Sequence, residues 1–214
     1  SETMTDSGTD VGTRTTKTVF NFNSDGTFTQ VDKIVKDYTE ADRRADTTAY
    51  NAFKGTVSVN DTTVTCSFTH KFINSSTEIT DLSAVKWDVY SVTKKFPAVI
   101  IEGKLYAEDC VFMRAGTGTG FLGEWICEGS KEYASSYEGE KLIYTFTDSG
   151  FSVKMQGRNS ADDEWSDEQS YSGNYTLTDS THLMISSGSM TMPFEILVAG
   201  DYFILWADRG YSRK

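Results

Sequence analysis

The sequence has few of the residues on which catalytic and metal centres usually depend. It contains two histidines, two prolines and three cysteines in 214 residues. The spacing of the cysteines and histidines does not resemble a zinc site, and no Gly-x-Ser-x-Gly nucleophile elbow occurs. We therefore expect a protein that is not an enzyme and has no catalytic residues, metal or cofactor. A hydrolase that uses His70 or His182 is the least favoured alternative.

The sequence also lacks a basic cluster and a long apolar run. Its net charge is -11, whereas a nucleic-acid-binding protein needs a basic surface to displace counterions from phosphates. No stretch of about 18 apolar residues is present, so we expect no transmembrane segment. The densest acidic run, Asp162–Glu168, lacks the ligand spacing of an EF-hand. We expect a solvated hairpin tip there, with Trp165 either folded back onto the sheet or free to contact a partner.

The three cysteines are too few for a disulfide-stapled domain. Cys66 and Cys110 lie in strand-like segments, and Cys127 follows shortly after Trp125. One disulfide with one remaining thiol is an alternative, and three buried thiols are slightly favoured.

What the sequence does contain is an internal repeat with three landmarks in the same order. The first is an alternating aromatic strand, a glycine turn and a second strand, at residues 19–28 and again at 143–151, where Gly26 and Gly150 are expected to adopt positive φ. The second is an aromatic-x-Gly followed by an alternating strand, at residues 53–63 and 171–181. The third is a proline, Pro97 or Pro193, that opens a short apolar strand, followed by a closing strand at 111–114 or 202–206.

These landmarks predict an all-β fold made of two tandem antiparallel β-barrel-like units. The predicted boundaries are a flexible N-terminal segment at 1–12, a first repeat at 13–115, a Gly/Thr linker at 116–120 and a second repeat at 121–214. The alternative is a single larger β sandwich or barrel. Residues 28–38 are predicted to form an arm of a long hairpin rather than a helix, and a short helical turn is expected within 81–87.

The order of these motifs resembles the bacterial lipocalin-like domains of the calycin type. The matching residues are Gly123-Glu124-Trp125, Asp25-Gly26-Thr27-Phe28, Gly55-Thr56-Val57 and Gly173-Asn174-Tyr175. The first unit lacks the Gly-x-Trp, and each unit shows only about seven strands, one fewer than a closed eight-stranded barrel needs. The resemblance implies an extracytoplasmic location: a secreted, periplasmic or surface lipoprotein, with any lipid anchor lying upstream of the numbered chain. It also implies that Trp125 plugs one end of the barrel.

Aromatic residues on the predicted strands are the candidates for ligand binding. The candidate site residues in the second unit are Tyr144, Phe146, Tyr175, Phe203 and Trp206. They predict either a cavity for a small hydrophobic ligand or a solid core. The first function hypothesis is therefore a non-enzymatic extracytoplasmic binding protein of lipocalin-like type. The second is a surface interaction protein with solid β cores that contacts an extracellular protein or glycan.

Overall fold

The computed structural model describes residues 2–6, 9–42, 44–116, 118, 120–207 and 211–212. Within them, the regular elements are antiparallel strands and two short 3₁₀ turns, at Leu82–Ala84 and Glu108–Cys110. The strands are β1 (Glu2–Asp6), β2 (Thr9–Phe22), β3 (Thr27–Tyr38), β4 (Thr47–Asn60), β5 (Thr63–Ser75), β6 (Asp88–Ile101), β7 (Lys104–Ala107), β8 (Val111–Ala115), β9 (Gly123–Tyr133), β10 (Tyr137–Thr147), β11 (Gly150–Arg158), β12 (Ser166–Leu177), β13 (His182–Ser187), β14 (Met190–Ala199), β15 (Tyr202–Leu205) and β16 (Tyr211–Ser212).

Local sequence signals account for these elements. In β10 the apolar side chains Tyr144 and Phe146 are buried, and the threonines beside them point to the opposite face. The stretch 28–38 lies in β3 and pairs with β2 along its length, which confirms the hairpin-arm prediction. The helical turn expected within 81–87 is confirmed as well, since the Asp81 carboxylate accepts a hydrogen bond of 2.8 Å from the Ser83 N–H at the start of the 3₁₀ turn.

The chain forms two compact units. One comprises Ser1–Ser58 with Cys66–Val92, and the other comprises Val59–Thr65 with Thr93–Lys214. These boundaries differ from the division at 116–120 that the repeat predicted, and residues 117 and 119 of that linker lie outside the described residues. Within residues 1–12, Glu2–Asp6 and the start of β2 form a paired hairpin, and the flexibility expected of this segment stays a prediction.

The first unit is an antiparallel meander in which β1, β2, β3 and β4 pair in chain order. Its core contains Phe28 and Phe68, whose rings meet edge to face at 5.1 Å. Asp32 is a buried carboxylate in this unit, and it accepts hydrogen bonds from Thr18 and Gln30. The turn before β3 is the predicted glycine hairpin, with Gly26 at φ +79°.

The second unit contains a closed antiparallel barrel of eight strands, β8 to β15. Seven of them, β9 to β15, follow one another around the barrel in chain order. The eighth is β8, which pairs with β15 on one side and with β9 on the other. Because β8 precedes β9 in the chain, a strand that the sequence assigned to the end of the first repeat closes the barrel of the second. The predicted all-β, barrel-like fold is confirmed.

The aromatic-x-Gly landmark has the same structural role in both halves of the chain. Phe28 of β3 pairs with Gly55 of β4, and Phe151 of β11 pairs with Gly173 of β12. A Cβ at either glycine would lie 2.0 Å from a backbone oxygen of the following strand. Both glycines are therefore required because two strands approach too closely for any side chain.

Two details of the repeat are corrected by the structure. The prolines do not open their strands: Pro97 lies inside β6 and Pro193 inside β14. Pro193 is tolerated because β14 pairs there with β13 alone, whereas its pairing with β15 begins at Ile196. Gly150 is needed because the backbone of β12 approaches it closely: a Cβ at Gly150 would lie 2.5 Å from the Gly173 oxygen. A left-handed turn is not the reason, since its φ of +159° borders on extended backbone.

Candidate functional site

The structure brings four of the five predicted ligand-binding residues together in the interior of the barrel. The Phe146 ring lies at the centre, with ring centroids at 6.0 Å from Tyr144, 5.4 Å from Tyr175 and 5.7 Å from Phe203. Trp206 packs against the same core through Phe194, with ring centroids 4.6 Å apart, rather than on the Phe146 ring. Sequence reasoning therefore found the aromatic cluster, and only the packed structure could show whether the cluster encloses a space.

These rings pack the part of the barrel interior around Phe146. Phe146 is 1% exposed and Phe203 is 0% exposed. Phe121 closes on Phe146 with centroids 4.2 Å apart, and Phe112 meets both Tyr144 and Phe203 within 6 Å. Aromatic centroids at such distances are in direct contact. The phenol of Tyr175 is also engaged, because it donates a hydrogen bond of 2.9 Å to the Thr147 oxygen. Burial, helped by the nearby Asp148 charge, raises the pKa of this phenol.

One end of the barrel is closed by Trp125 and Arg114. Trp125 is fully buried, and its indole N–H donates to the Phe121 oxygen at 2.9 Å. The Arg114 guanidinium lies 4.0 Å from the centre of the Trp125 ring and donates to the backbone oxygens of Gly120 and Leu122. Only 2% of the Arg114 side chain is exposed. The cation therefore fastens the loop before β9 across this end of the barrel.

Toward the other end, the inner faces of β9 and β10 border a small cleft of about 210 Å³. Phe96, Pro97, Cys127 and Leu142 provide its apolar part, and lysine and glutamate side chains make up much of the rest. Lys94 and Glu108 in this lining approach to 3.7 Å. The cleft is smaller than the roughly 300–1,000 Å³ typical of small-molecule sites, and none of the five predicted ligand-binding residues borders it.

A larger groove lies on the outer face of β9, β10 and β11. We call it the outer groove. Its volume is about 790 Å³, and its lining includes the β9–β10 turn, with Tyr133 and Tyr137, and the segment Arg158–Ala161 that follows β11. Lys95 and Pro97 of β6 contribute another part of the lining. All of the residues that border the outer groove belong to the second unit.

The outer groove is built around Arg158. Its guanidinium lies 4.3 Å from the centre of the Trp165 ring and 5.9 Å from that of Tyr137. It also lies 3.5 Å from the Glu128 carboxylate and donates 2.9 Å to the Ala161 oxygen. Stacking, an ion pair and a backbone hydrogen bond together hold one planar side chain in place.

Several features combine to make this arrangement possible. Gly139 pairs with Arg158 across β10 and β11, and a Cβ at Gly139 would lie 2.6 Å from the arginine side chain. The β9–β10 turn is short, with the Tyr133 N–H donating 2.8 Å to the Ser136 oxygen. Trp165 folds back onto the sheet, as one of the two sequence alternatives proposed, because Arg158 and Lys141 both approach its ring.

The sequence interpretation missed the outer groove. Tyr133, Tyr137 and Arg158 are ordinary residue types separated by up to 25 positions, and they meet only because β9, β10 and β11 are adjacent. The one available signal was a tyrosine on each side of a short Ala-Ser-Ser turn.

Neither histidine borders the cleft or the outer groove described above. His182 and Asp179 are joined by a contact of 2.9 Å between Nδ1 and Oδ1, but about half of each side chain is exposed and neither borders the cleft or the outer groove. The hydrogen bond to Asp179 raises the pKa of His182, and the same contact lowers the pKa of Asp179. His70 contacts Thr69 at 3.0 Å in an exposed position.

The remaining chemical groups of the sequence take structural or solvated positions. All three cysteines are buried thiols, the favoured of the two sequence alternatives. The acidic segment after β11 is solvent-exposed from Asp162 to Glu164, as expected of a hairpin tip. In the described part of the chain, no group of three or more His, Cys, Asp or Glu side chains is placed to hold a metal ion.

Family models, curated proteins and solved structures were compared with this chain, and none of them matches it. Among the described residues, no helix is long and apolar enough to cross a bilayer.

Proposed function

We propose that this chain is a non-enzymatic, extracytoplasmic binding protein that contacts its partner on the outer surface of its barrel. The packed aromatic core around Phe146 is the observation that carries the proposal. Phe146 and Phe203 are buried within a continuous set of ring contacts, and the cleft toward the other end of the barrel, which neither of them borders, measures about 210 Å³. A small hydrophobic ligand, the first hypothesis from the sequence, would have to displace part of this packed core.

The outer groove supports the surface-binding hypothesis. Its volume of about 790 Å³ falls in the range of natural ligand sites. Arg158 and its partners give it a fixed wall, and a preorganised wall reduces the entropy lost on binding. The extracytoplasmic location rests on the lipocalin-like motif order, and the partner is an extracellular protein or glycan.

The test separates an interior site from a surface site. The purified full chain is titrated with a fluorescent fatty acid and with an anilinonaphthalene sulfonate dye, and its mass is recorded by native mass spectrometry. We expect an apo mass and no saturable binding of either compound. Binding of one fatty acid per chain, if substitution of Tyr144 or Phe203 abolished it, would refute the surface-binding proposal.

A further inference from the structure

The charges that border the outer groove cancel, although the whole chain is strongly acidic. Lys95 and Arg158 carry the positive charges of the lining, and Glu128 and Glu132 carry the negative ones. Arg158 and Glu128 face each other at 3.5 Å. A charged ligand would therefore find no excess of opposite charge in the groove, so the lining favours a neutral one.

The polar side chains of the outer groove are mostly hydroxyls. Four serines, two tyrosines and one threonine border it, together with the amide of Asn159. Hydroxyl groups both donate and accept hydrogen bonds, which suits a ligand that is itself rich in hydroxyls. Ser135 and Ser136 are exposed in the β9–β10 turn and are available to such a ligand.

The aromatic side chains of the groove flank these hydroxyls. Tyr133 and Tyr137 are both partly exposed, one at each end of the β9–β10 turn. The Arg158 guanidinium, itself stacked on Trp165, lies on one side of Tyr137. A tyrosine ring that is partly held by its neighbours and partly exposed can stack on the apolar face of a ligand, while its hydroxyl remains hydrated.

The composition fits a protein partner less well. The centres of protein interfaces are depleted in serine, glutamate, lysine and alanine and enriched in aromatic residues, methionine and arginine. The outer groove has four serines, two glutamates, one lysine and one alanine against two tyrosines, one methionine and one arginine, so the depleted types outnumber the enriched ones.

We propose that the outer groove binds a neutral oligosaccharide, with Tyr137 as a stacking platform and the serines of the β9–β10 turn and Ser160 as hydrogen-bonding partners. Sugar rings combine apolar C–H faces with a rim of hydroxyls, which matches exposed tyrosines among serines. The open groove accommodates a few units of a linear chain. This inference rests on the surface-binding function proposed above and specifies its ligand class.

The experiment titrates the isotope-labelled full chain with cellohexaose, mannohexaose and chitohexaose and follows backbone amide shifts by NMR. We expect saturable shifts with at least one of them, centred on the β9–β10 turn and Arg158–Ala161. Because the ligand is uncharged, its Kd should stay the same when the salt concentration is raised, unlike that of a charge-steered complex.

Variants locate the site. Tyr137→Ala should weaken the affinity by about tenfold, the loss expected for one aromatic stacking contact, and Tyr137→Phe should retain most of it. Ala161→Arg fills the groove at an exposed position without removing a tyrosine and should abolish binding. Tyr171→Ala serves as the matched control, because Tyr171 is 38% exposed on β12 and does not border the outer groove.

The outcomes separate this inference from the proposed function. No response to any of the three hexasaccharides, or shifts that map away from the outer groove, would overturn the oligosaccharide proposal. If peptides, but not the sugars, shifted the backbone amides of the outer groove, the oligosaccharide proposal would also be overturned. The surface-binding function would stand in that case. A fatty acid bound inside the barrel would instead remove the proposed function itself.

Discussion

Replacement of Phe146 by alanine tests whether the barrel is solid. Phe146 is 1% exposed and contacts rings on the segment before β9 and on β11, β12 and β15. Truncation removes the transfer free energy of the ring and leaves a cavity that neighbours on separate strands cannot readily collapse. Phe→Ala changes in packed cores cost about 3–5 kcal/mol, and we expect the upper half of that range here.

The assay is urea unfolding of the full chain followed by tryptophan fluorescence, with the m-value compared between variants. Phe22→Ala in the first unit is the control, since Phe22 is 50% exposed and its loss should change the unfolding free energy by less than about 1 kcal/mol. Domain stabilities are typically about 5–15 kcal/mol, so the Phe146 variant should remain folded at low temperature with a clearly lower midpoint.

A hollow barrel predicts a different result. If the ring bordered an existing cavity, truncation would forfeit mainly the transfer term, about 1.5–3 kcal/mol. Benzene distinguishes the two cases further, because a new apolar cavity stays dry and binds it. We expect benzene to stabilise Phe146→Ala and to leave the wild-type chain unchanged. A loss below about 3 kcal/mol, or stabilisation of the wild-type chain by benzene, would contradict the packed core.

Three further predictions follow from local geometry. Gly173→Ala should destabilise the second unit by about 1–3 kcal/mol, because its Cβ would lie 2.0 Å from the Ser186 backbone oxygen; an unchanged Tm would contradict the close approach. By NMR titration the pKa of His182 should lie above 6.5 and fall toward it in Asp179→Asn. The pair stabilises the fold above the ordinary carboxyl pKa of 3.8, and this contribution fades as pH rises through the folded-state pKa of His182; an equal His182 pKa in the wild-type chain and in Asp179→Asn would refute the contact. The three buried thiols should react with Ellman's reagent only after unfolding in urea, and one thiol that titrates at once in buffer would show that its burial is wrong.

The sequence predicted those features that depend on short stretches of chain. Alternation of aromatic and polar residues identified the strands, and Gly26 marked the hairpin before β3 because a tight turn there needs positive φ. The aromatic-x-Gly landmark was recognised as a repeat, but its cause was not. Gly55 and Gly173 are required by the backbone of another strand, a contact that no local pattern contains.

The candidate site was predictable only in part, because the packing of its side chains determines whether they line a cavity or form a core. Tyr144, Phe146, Tyr175 and Phe203 do converge in the interior. The same four residues would also line a hollow barrel, so their identity could not distinguish a cavity from a core. The distinction depends on additional rings, above all Phe121, which approaches Phe146 to 4.2 Å from the segment just before β9.

The closure of the barrel explains why local sequence signals could not predict the boundary between the two units. Seven strands, β9 to β15, follow the repeat, and a sheet of these seven alone would end at β9 on one side and at β15 on the other. β8, whose Phe112 and Val111 are fully buried, pairs with both of these strands and closes the barrel. β9 also has β6 as a hydrogen-bonded neighbour. Arg114 on the same strand spans Trp125 and holds the loop that leads into β9. The motif order places β8 at the end of the first repeat, but the pairing of its backbone and the burial of its side chains assign it to the second unit. The aromatic core and the fastened end of the barrel therefore both depend on that one strand.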